Sequence, residues 1–489
     1  FPLEIDALSR LILYWKRLAL TIERYDDTGA NPQVKASSAS YHVFDVTASN
    51  VTIRGLDIYG ATDSKAGIRL AEGTDNCTIR NNRCGWDESH GNWHGILLDG
   101  GSSHYTESNT ISGNTCSYNR NYNIYIGLNC LYNTISDNVC NNSETQHGVL
   151  LYSASSNAIS ANTCNGNGEA GIMLAQYSTS NIVSGNTCNN NDEGIHLYHS
   201  GVDDNIFYLN SMSDNSNGNA VAVSGTDNTW NSPVKLSYRY NGSAYKNYLG
   251  NYYSDYGGSD DDGDGIGDAS YSDENGYMTD NFPLMATRCD YTLMTWWLGN
   301  PTMYKDDMST TPGTYTVRNN DSVVWVADYH APSDLTFPES STSNGTCWTY
   351  QIAFDEAFDP ETNITLTVGY ADLDGNNFTT AEHSGNPSVS LDASENTRVF
   401  YGTISDTQSF DVPSGKYLAL EIDNNTGSDR NVMRGASWSF ISASHTESTP
   451  TPAYPVSELP TIVLAGMGLL GLGIYLWLRK RRKVQSASA

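Results

Sequence analysis

Basic residues are scarce in this 489-residue chain: 26 Lys and Arg stand against 55 Asp and Glu, a formal charge of −29. Five of those basic residues are packed into Arg479-Lys480-Arg481-Arg482-Lys483 near the end. A body so acidic excludes nucleic acid as a partner, because phosphate backbones are held by Lys and Arg. It suits a solvated surface in salt or among cations. An export signal is also lacking. The chain begins with Phe1, residues 1–35 carry no repeat, and Leu11-Ile12-Leu13-Tyr14-Trp15 is too short, with Lys16-Arg17 on its wrong side.

What is present is a repeat. Asn-x-Ile-Ser-x-Asn-x-Cys occurs at 109–116, 133–140 and 157–164, and with Val183 for Ile at 181–188. The step from each copy to the next is the same, so the repeat has a fixed period. Fading copies lie at Asn205, Phe207, Asn210 and Met212, and at Ile79, Asn82 and Cys84. Between copies run short apolar segments such as Gly95-Ile96-Leu97-Leu98, Gly148-Val149-Leu150-Leu151 and Gly171-Ile172-Met173-Leu174. Turn formers bound each one, which reads as strand and not helix. At about 3.3 Å per residue, one period holds two or three short strands with sharp corners. A corner recurring at one phase implies a coil that closes once per period and stacks on the next: a right-handed parallel β-helix over 36–285. Ile111, Ile135, Ile159 and Val183 then form an internal column. Asn114, Asn138, Asn162, Asn186 and Asn210 form an amide ladder at one bend, where Asn also tolerates left-handed backbone. Cys84, Cys116, Cys140, Cys164 and Cys188 form a third, buried column rather than a metal site, because ligands must converge on one point.

The stretch from about Ser49 to Met285 resembles the NosD-type, carbohydrate-associated β-helix family. The likeness rests on Asn-x-Ile-Ser-x-Asn and on the closing segment Gly250-Asn251-Tyr252-Tyr253-Ser254-Asp255-Tyr256, with Asn281-Phe282-Pro283-Leu284-Met285 beyond it. The resemblance implies the fold; the scaffold serves lyases, hydrolases, epimerases, adhesins and accessory proteins alike. A copper accessory role is the least favoured, since no Met/His/Cys cluster of the soft kind needed by copper(I) is visible.

The C-terminus indicates a location. Residues 446–458 are a Ser/Thr/Pro linker, 459–478 an uncharged run long enough to cross a bilayer, and 479–489 a basic cytoplasmic tail. The body is therefore expected outside the cell, at the cell surface, which implies an export segment ahead of Phe1. Pro455-Val456-Ser457-Glu458-Leu459-Pro460-Thr461 also resembles archaeal sorting tails of the PEF-CTERM type, which implies a sortase-like enzyme and a lipid anchor. Ser457 and Leu459 depart from that pattern. Asn-x-Ser/Thr sequons, among them Asn50, Asn76, Asn241 and Asn424, permit glycosylation.

After Met285 the period disappears, and short alternating segments such as Ser322–Val326 and Ile364–Val368 predict a β-sandwich over 286–445. Its Cys289 and Cys347 are a candidate disulfide. At the junction, Asp260, Asp262, Asp264, the Ile266 carbonyl and Asp268 sit at the spacing of a calcium loop. Calcium would be structural there, with Asp273 or another residue standing in for the missing Glu.

The step from Cys84 to Cys116 exceeds the period by eight, and the excess is expected to bulge as one loop. Asp87, Glu88, His90 and His94 are candidate acid–base groups, since imidazole and paired carboxylates serve glycosidic chemistry. Trp86 and Trp93 on the loop are candidate sugar platforms, as are Tyr152 and Tyr198 on successive coils. His196 and His199, with Tyr125 and Tyr177, extend that recurring strip. The function expected is binding or organising surface polysaccharide or other envelope glycan. The alternative is a lyase, hydrolase or epimerase acting on polysaccharide.

Overall fold

The computed structural model describes residues 20–24, 30–224, 227–293 and, in segments, 295–447. Residues 20–285 build an all-β, right-handed parallel solenoid of about 8 coils. Its first sheet stacks eight parallel strands from Leu20–Glu23 through Thr110–Ser112 and Thr134–Ser136 to Ile206–Tyr208. Register is in phase throughout: Ile79, Ile111, Ile135, Ile159, Val183 and Phe207 pair in sequence, and all are sealed from solvent. The second sheet stacks another eight, from Phe44–Val46 through His94–Leu98, Ile124–Ile126, Val149–Tyr152 and Ile172–Ala175 to Ala220–Ala222. A third, interrupted wall carries Cys84, Cys116, Cys140, Cys164 and Cys188, all fully buried, with Met212 continuing the column. Burial pushes the Cys116, Cys140 and Cys188 thiols up, away from the reactive thiolate.

The corners that carry the ladders share one rule. A residue in the left-handed region is followed there by an Asn whose side chain faces inward and bonds along the axis. In the predicted ladder the amide of Asn114 donates to Asn138, Asn138 to Asn162, Asn162 to Asn186 and Asn186 to Asn210, at 2.9–3.0 Å. The left-handed residue is not the Asn, as expected, but the one before it: Gly113, Asp137, Ala161, Gly185 and Leu209. That twist frees the Asn carbonyl oxygen to accept the backbone N–H of the Asn one coil earlier, so each amide closes one corner and caps the next. A second ladder runs Asn109, Asn133, Asn157, Asn181 and Asn205, reaching Asn228. Such amides satisfy backbone groups that the sharp bends remove from the strand ladders. The first ladder ends on Asp280, a buried carboxylate that accepts from the Asn251 N–H and amide, the Phe282 N–H and the Tyr253 hydroxyl.

Beyond the solenoid, 295–447 is a mostly antiparallel β region with its own core around Trp325, Ile352, Phe354, Leu366 and Leu420. The junction is packed. Tyr238 and Leu293 pair across it, and Ala353 shares a core with Tyr208 and Tyr291. No helix among the described residues is long and apolar enough to cross a membrane. Residues 459–478 and the sorting segment lie outside the described residues, as do most of the linker and all of the basic tail.

Candidate functional site

Between Ile79 and Phe207 the first sheet has one over-long step, and its excess lies around one strand of the second sheet. The stretch from Cys84 to Ile96 is longer than that from Cys116 to Ile124 by four, and Ile96 to Ile111 exceeds Ile124 to Ile135 by the same four. The excess expected in one bulging loop is thus divided between two corners, on either side of strand His94–Leu98. The first corner folds down on itself. Asp87 Oδ1 lies 2.7 Å from His90 Nδ1, which holds the Asp87 carboxyl below its usual range. The His90 ring stacks on Trp86 at 4.6 Å, and Arg83 covers Trp86 while bound to the buried Asp57. Glu88 is exposed, and Trp93 packs under Arg120. Asp87 and His90 are therefore brought together, whereas His94 belongs to a different surface.

That surface is the outer face of the second sheet. Because Ile96, Ile124, Val149 and Ile172 are in register, the residues two places earlier also align: His94, Tyr122, His147 and Ala170. His94 stacks on Tyr122 at 5.2 Å with planes 9° apart, and Tyr122 on His147 at 5.7 Å and 10°. One residue after each inward Ile or Val, a second row holds Leu97, Tyr125, Leu150, Met173 and His196. Leu150, Met173, Ala170 and Ala175 form an apolar floor against which Tyr122 and Tyr125 pack. A third row, two residues further along each strand, presents Tyr152 and Tyr198, which are 40% and 53% exposed. Tyr177 is still more exposed and meets His199 edge-on at 5.0 Å.

The imidazoles on this face are held neutral. Burial lowers His94 to about 4, helped by His42, and lowers His147 to about 3, helped by His196. The Ala170 N–H donates to His147 Nδ1 at 3.1 Å, so the ring proton sits on Nε2, 3.4 Å from the Glu169 carboxylate. Burial, then Asp192, raises Glu169; burial, then Asp192 and Glu169, raises Glu193. Two polar atoms, His94 Nδ1 and His196 Nε2, are buried without a hydrogen-bond partner. Tyr122, His147, Glu169 and Glu193 were not singled out from the sequence. They become visible only when coils are aligned on the second sheet's inward residue, whose spacing changes from coil to coil.

The acidic loop lies at the junction. One carboxylate oxygen from each of Asp260, Asp262 and Asp264 falls within 4.8 Å of the others, the only such cluster of possible metal ligands among the described residues. Gly263 and Gly265 take left-handed conformations that wrap the loop, and the Tyr238 hydroxyl donates to the Asp264 carbonyl at 3.0 Å. Asp268 stands outside the cluster, accepting from the Asp261 N–H at 2.8 Å, and Ile266 is buried below it. Asp273 does not complete the shell: its oxygens accept from Tyr277, Met278 and Ala222 N–H groups. Cys289 is an exposed free thiol, and the side chain of its expected partner Cys347 lies outside the described residues.

Residues 48–258 match the family described as periplasmic copper-binding protein (NosD). Among the described residues the column cysteines are sealed in the core, and the one converging cluster of possible ligands is all oxygen, the donor set of a hard cation rather than of copper(I). No curated protein matches the chain. Among solved structures, the A-module of an Azotobacter vinelandii mannuronan C-5 epimerase is 19% identical over 41% of this chain and 58% of its own, with a TM-score of 0.32. This chain therefore spans less than two thirds of that module. The enzymatically active domain of bacteriophage CBA120 tailspike protein 2 is 13% identical over 86% and 74%, at 0.27. The tailspike of E. coli bacteriophage HK620, in complex with a pentasaccharide, is 10% identical over 79% and 68%, at 0.32. Over residues 48–258, less than half of the chain, the coils are thus similar to the NosD family of β-helix proteins.

Proposed function

We propose that the outer face of the second sheet binds a glycan strand laid along the solenoid axis, on a body held outside the cytoplasm. The observation that carries this reading is the tyrosine-rich row on this face: half-buried Tyr122 and Tyr125 lie 5.2 Å apart against the Leu150–Met173 floor, with the exposed Tyr152 beyond them. Apolar ring surface beside phenol hydroxyls that can hydrogen-bond is the composition of a ligand site. Tyr152 and Tyr198 extend the platform to the strand ends. Retention of the full chain on a panel of neutral, amino and uronic polysaccharides tests it. The Tyr122→Ala and Tyr125→Ala variants are each expected to weaken binding by more than about 1 kcal/mol, as central aromatic anchors do. Failure to retain any member of the panel refutes the reading.

The remaining parts of the chain support this role as anchor and spacer. The 295–447 region is read as a β-sandwich spacer, residues 459–478 as a membrane anchor, and the segment before them as a substrate of a sortase-like enzyme. Calcium at Asp260, Asp262 and Asp264 would neutralise the cluster and stiffen the junction. A second reading, a polysaccharide lyase, hydrolase or epimerase, is favoured by one observation: the His147 Nε2–H faces a Glu169 carboxylate whose proton affinity is raised, an acid–base pair on the binding face. Product release that vanishes in His147→Ala would establish it.

A further inference from the structure

We propose that the corner leaving the second sheet is a docking strip for an uncharged, extended glycan, a chain of equatorially linked neutral pyranoses. This rests on the glycan reading above, and it names the ligand's class and the side chains that meet it. Leu128, Tyr152, Tyr177, Tyr198 and Val223 follow the second-sheet strands of successive coils, and all are exposed, from 40% at Tyr152 to 65% at Tyr177. Single exposed apolar side chains are ordinary, whereas a contiguous run of them marks an interaction surface. Register shows that the run is built. The inward residues Ile126, Leu151, Leu174, Leu197 and Ala222 pair in sequence, so the residues after them align: Gly127, Tyr152, Ala175, Tyr198 and Val223. Where the aligned residue is small, at Gly127 and Ala175, a large side chain follows within two residues, as Leu128 and Tyr177. Each of these coils thus supplies one. The four steps between them, at about 4.8 Å each, make a strip roughly 19 Å long.

The strip selects by what it lacks. Residues 127–130, 152–156, 175–180, 198–202 and 223–224 hold no Asp, Glu, Lys or Arg, in a chain of formal charge −29. It begins where charge ends: one coil before Gly127 the aligned residue is Asp99, which binds Arg69 at 2.8 Å. Asp45 holds the same Arg69, so that cation is not released for a uronate or a sulfate. Glu169 and Glu193 precede the strands of their coils and so lie at the opposite corner, a strand's length away. A bilayer surface would call for Lys or Arg beside the apolar row, and the strip has neither. Between the rings stand neutral hydrogen-bonding side chains, Ser153, Gln176 and His199. Apolar rings with a few neutral polar groups are what a neutral sugar site requires. Tyr177 is held rather than loose. A Cβ on Gly201 would stand 2.4 Å from its Cδ1, so only glycine leaves the ring its resting place. His199 meets that ring edge-on, and its Nδ1 accepts the Gly201 N–H at 3.1 Å, which leaves the proton of the neutral imidazole on Nε2 as a donor. A ring and a donor fixed in advance reduce what the ligand must order. One large side chain per coil in a straight line suits a straight chain. Equatorial linkage gives that shape and bares the C–H faces of the sugars, whereas axial linkage curls the chain off the strip.

The test is calorimetric titration of the full chain with cellohexaose, cellobiose, maltohexaose and a mannuronate hexamer, at two salt concentrations. Cellohexaose is expected to bind roughly tenfold more tightly than the other three, and almost equally at both salts, because no charge is paired. Cellobiose is too short to span the strip, maltohexaose is axially linked, and the mannuronate is charged. Tyr177→Ala and Tyr198→Ala are each expected to weaken cellohexaose binding about tenfold. Gly201→Ala, which keeps the Tyr177 ring but occupies its resting place, is expected to weaken it several-fold, and melting curves check that all three variants are folded. Equal or tighter binding of maltohexaose or the mannuronate overturns the proposal and keeps the glycan reading. So does cellohexaose binding that Tyr122→Ala abolishes and the three strip variants leave unchanged. A dimer in sedimentation that Tyr177→Ala and Tyr198→Ala dissociate, with no binding of cellohexaose, gives the strip to a second copy and also overturns it. If no oligosaccharide binds the folded chain, the glycan reading fails and the inference with it.

Discussion

Asn162→Ala is expected to be among the most destabilising single substitutions in the solenoid, although it removes only a small polar side chain. Asn162 accepts from the Asn138 N–H at 3.0 Å and from the Asn138 amide at 3.0 Å. Its own amide donates to the Ile135 carbonyl at 2.9 Å and to Asn186 at 3.0 Å. Truncation takes from the Asn138 N–H the acceptor it uses and from the Ile135 carbonyl one donor. The Asn138 amide keeps Ile111, and Asn186 keeps the Asn162 N–H. Two buried groups losing a partner, at about 2 kcal/mol each, plus two weakened amides at roughly 0.5 kcal/mol each, give a loss of about 5 kcal/mol. Ile159→Val, which removes one methylene from the adjacent inward column, is expected to cost only about 1 kcal/mol. Urea-unfolding midpoints followed by circular dichroism compare the two. An Asn162→Ala cost no larger than that of Ile159→Val would refute the claim that side-chain ladders, rather than apolar columns alone, hold the corners.

Ala161, the left-handed residue before that Asn (φ 53°), should accept glycine: Ala161→Gly is expected to be neutral or to stabilise by about 1 kcal/mol in the same assay, although glycine usually weakens β structure. Asp280, fully buried, is raised to about 6 by burial, so its stabilisation is complete below the ordinary carboxylate range and is lost as pH rises through about 6. His94 and His147 act oppositely, losing stability as pH falls below about 6.5, so the contribution of Asp280 is read as the wild-type minus Asp280→Asn difference in midpoint between pH 4.5 and 7.5. That difference should shrink with rising pH by an amount on the order of 2–3 kcal/mol; a flat difference would remove Asp280 as the titrating group. Calcium is expected to raise the melting temperature of the full chain and to lose that effect in Asp262→Asn. An equal shift in the variant would place calcium elsewhere.

The parts of this molecule that could be read from sequence are those governed by strict spacing. Ile111, Ile135, Ile159 and Val183 recur at one fixed interval, and parallel pairing puts them in one column. The same spacing exposed the Asn114–Asn210 ladder and the cysteine column. The strain was misplaced by one residue, from the Asn to its predecessor, because composition shows which residues tolerate left-handed backbone and not which one the corner bends. Asp87, Glu88, His90 and His94 were grouped because they are close in sequence. A strand boundary separates them, sending His94 to the second sheet while His90 stacks on Trp86.

That separation bears on where function sits. First-sheet spacing is constant over four coils because every coil presents the same inward residue and the same ladder amide, so any change in length would break contacts on both sides. Second-sheet spacing is not constant: the step from Ile124 to Val149 is shorter than that from Ile96 to Ile124, and Val149 to Ile172 is shorter still. Yet the strands stay in register, so the variation is absorbed entirely in corners. A scaffold held rigid on one sheet leaves the residues just outside the other free to vary without unfolding it. His94, Tyr122 and His147 lie at those positions, each two residues before its coil's inward Ile or Val. The irregularity that hid them from periodicity is therefore the property that lets one face of a repetitive coil carry a row of different side chains, a requirement for any site that reads more than the shape of its ligand.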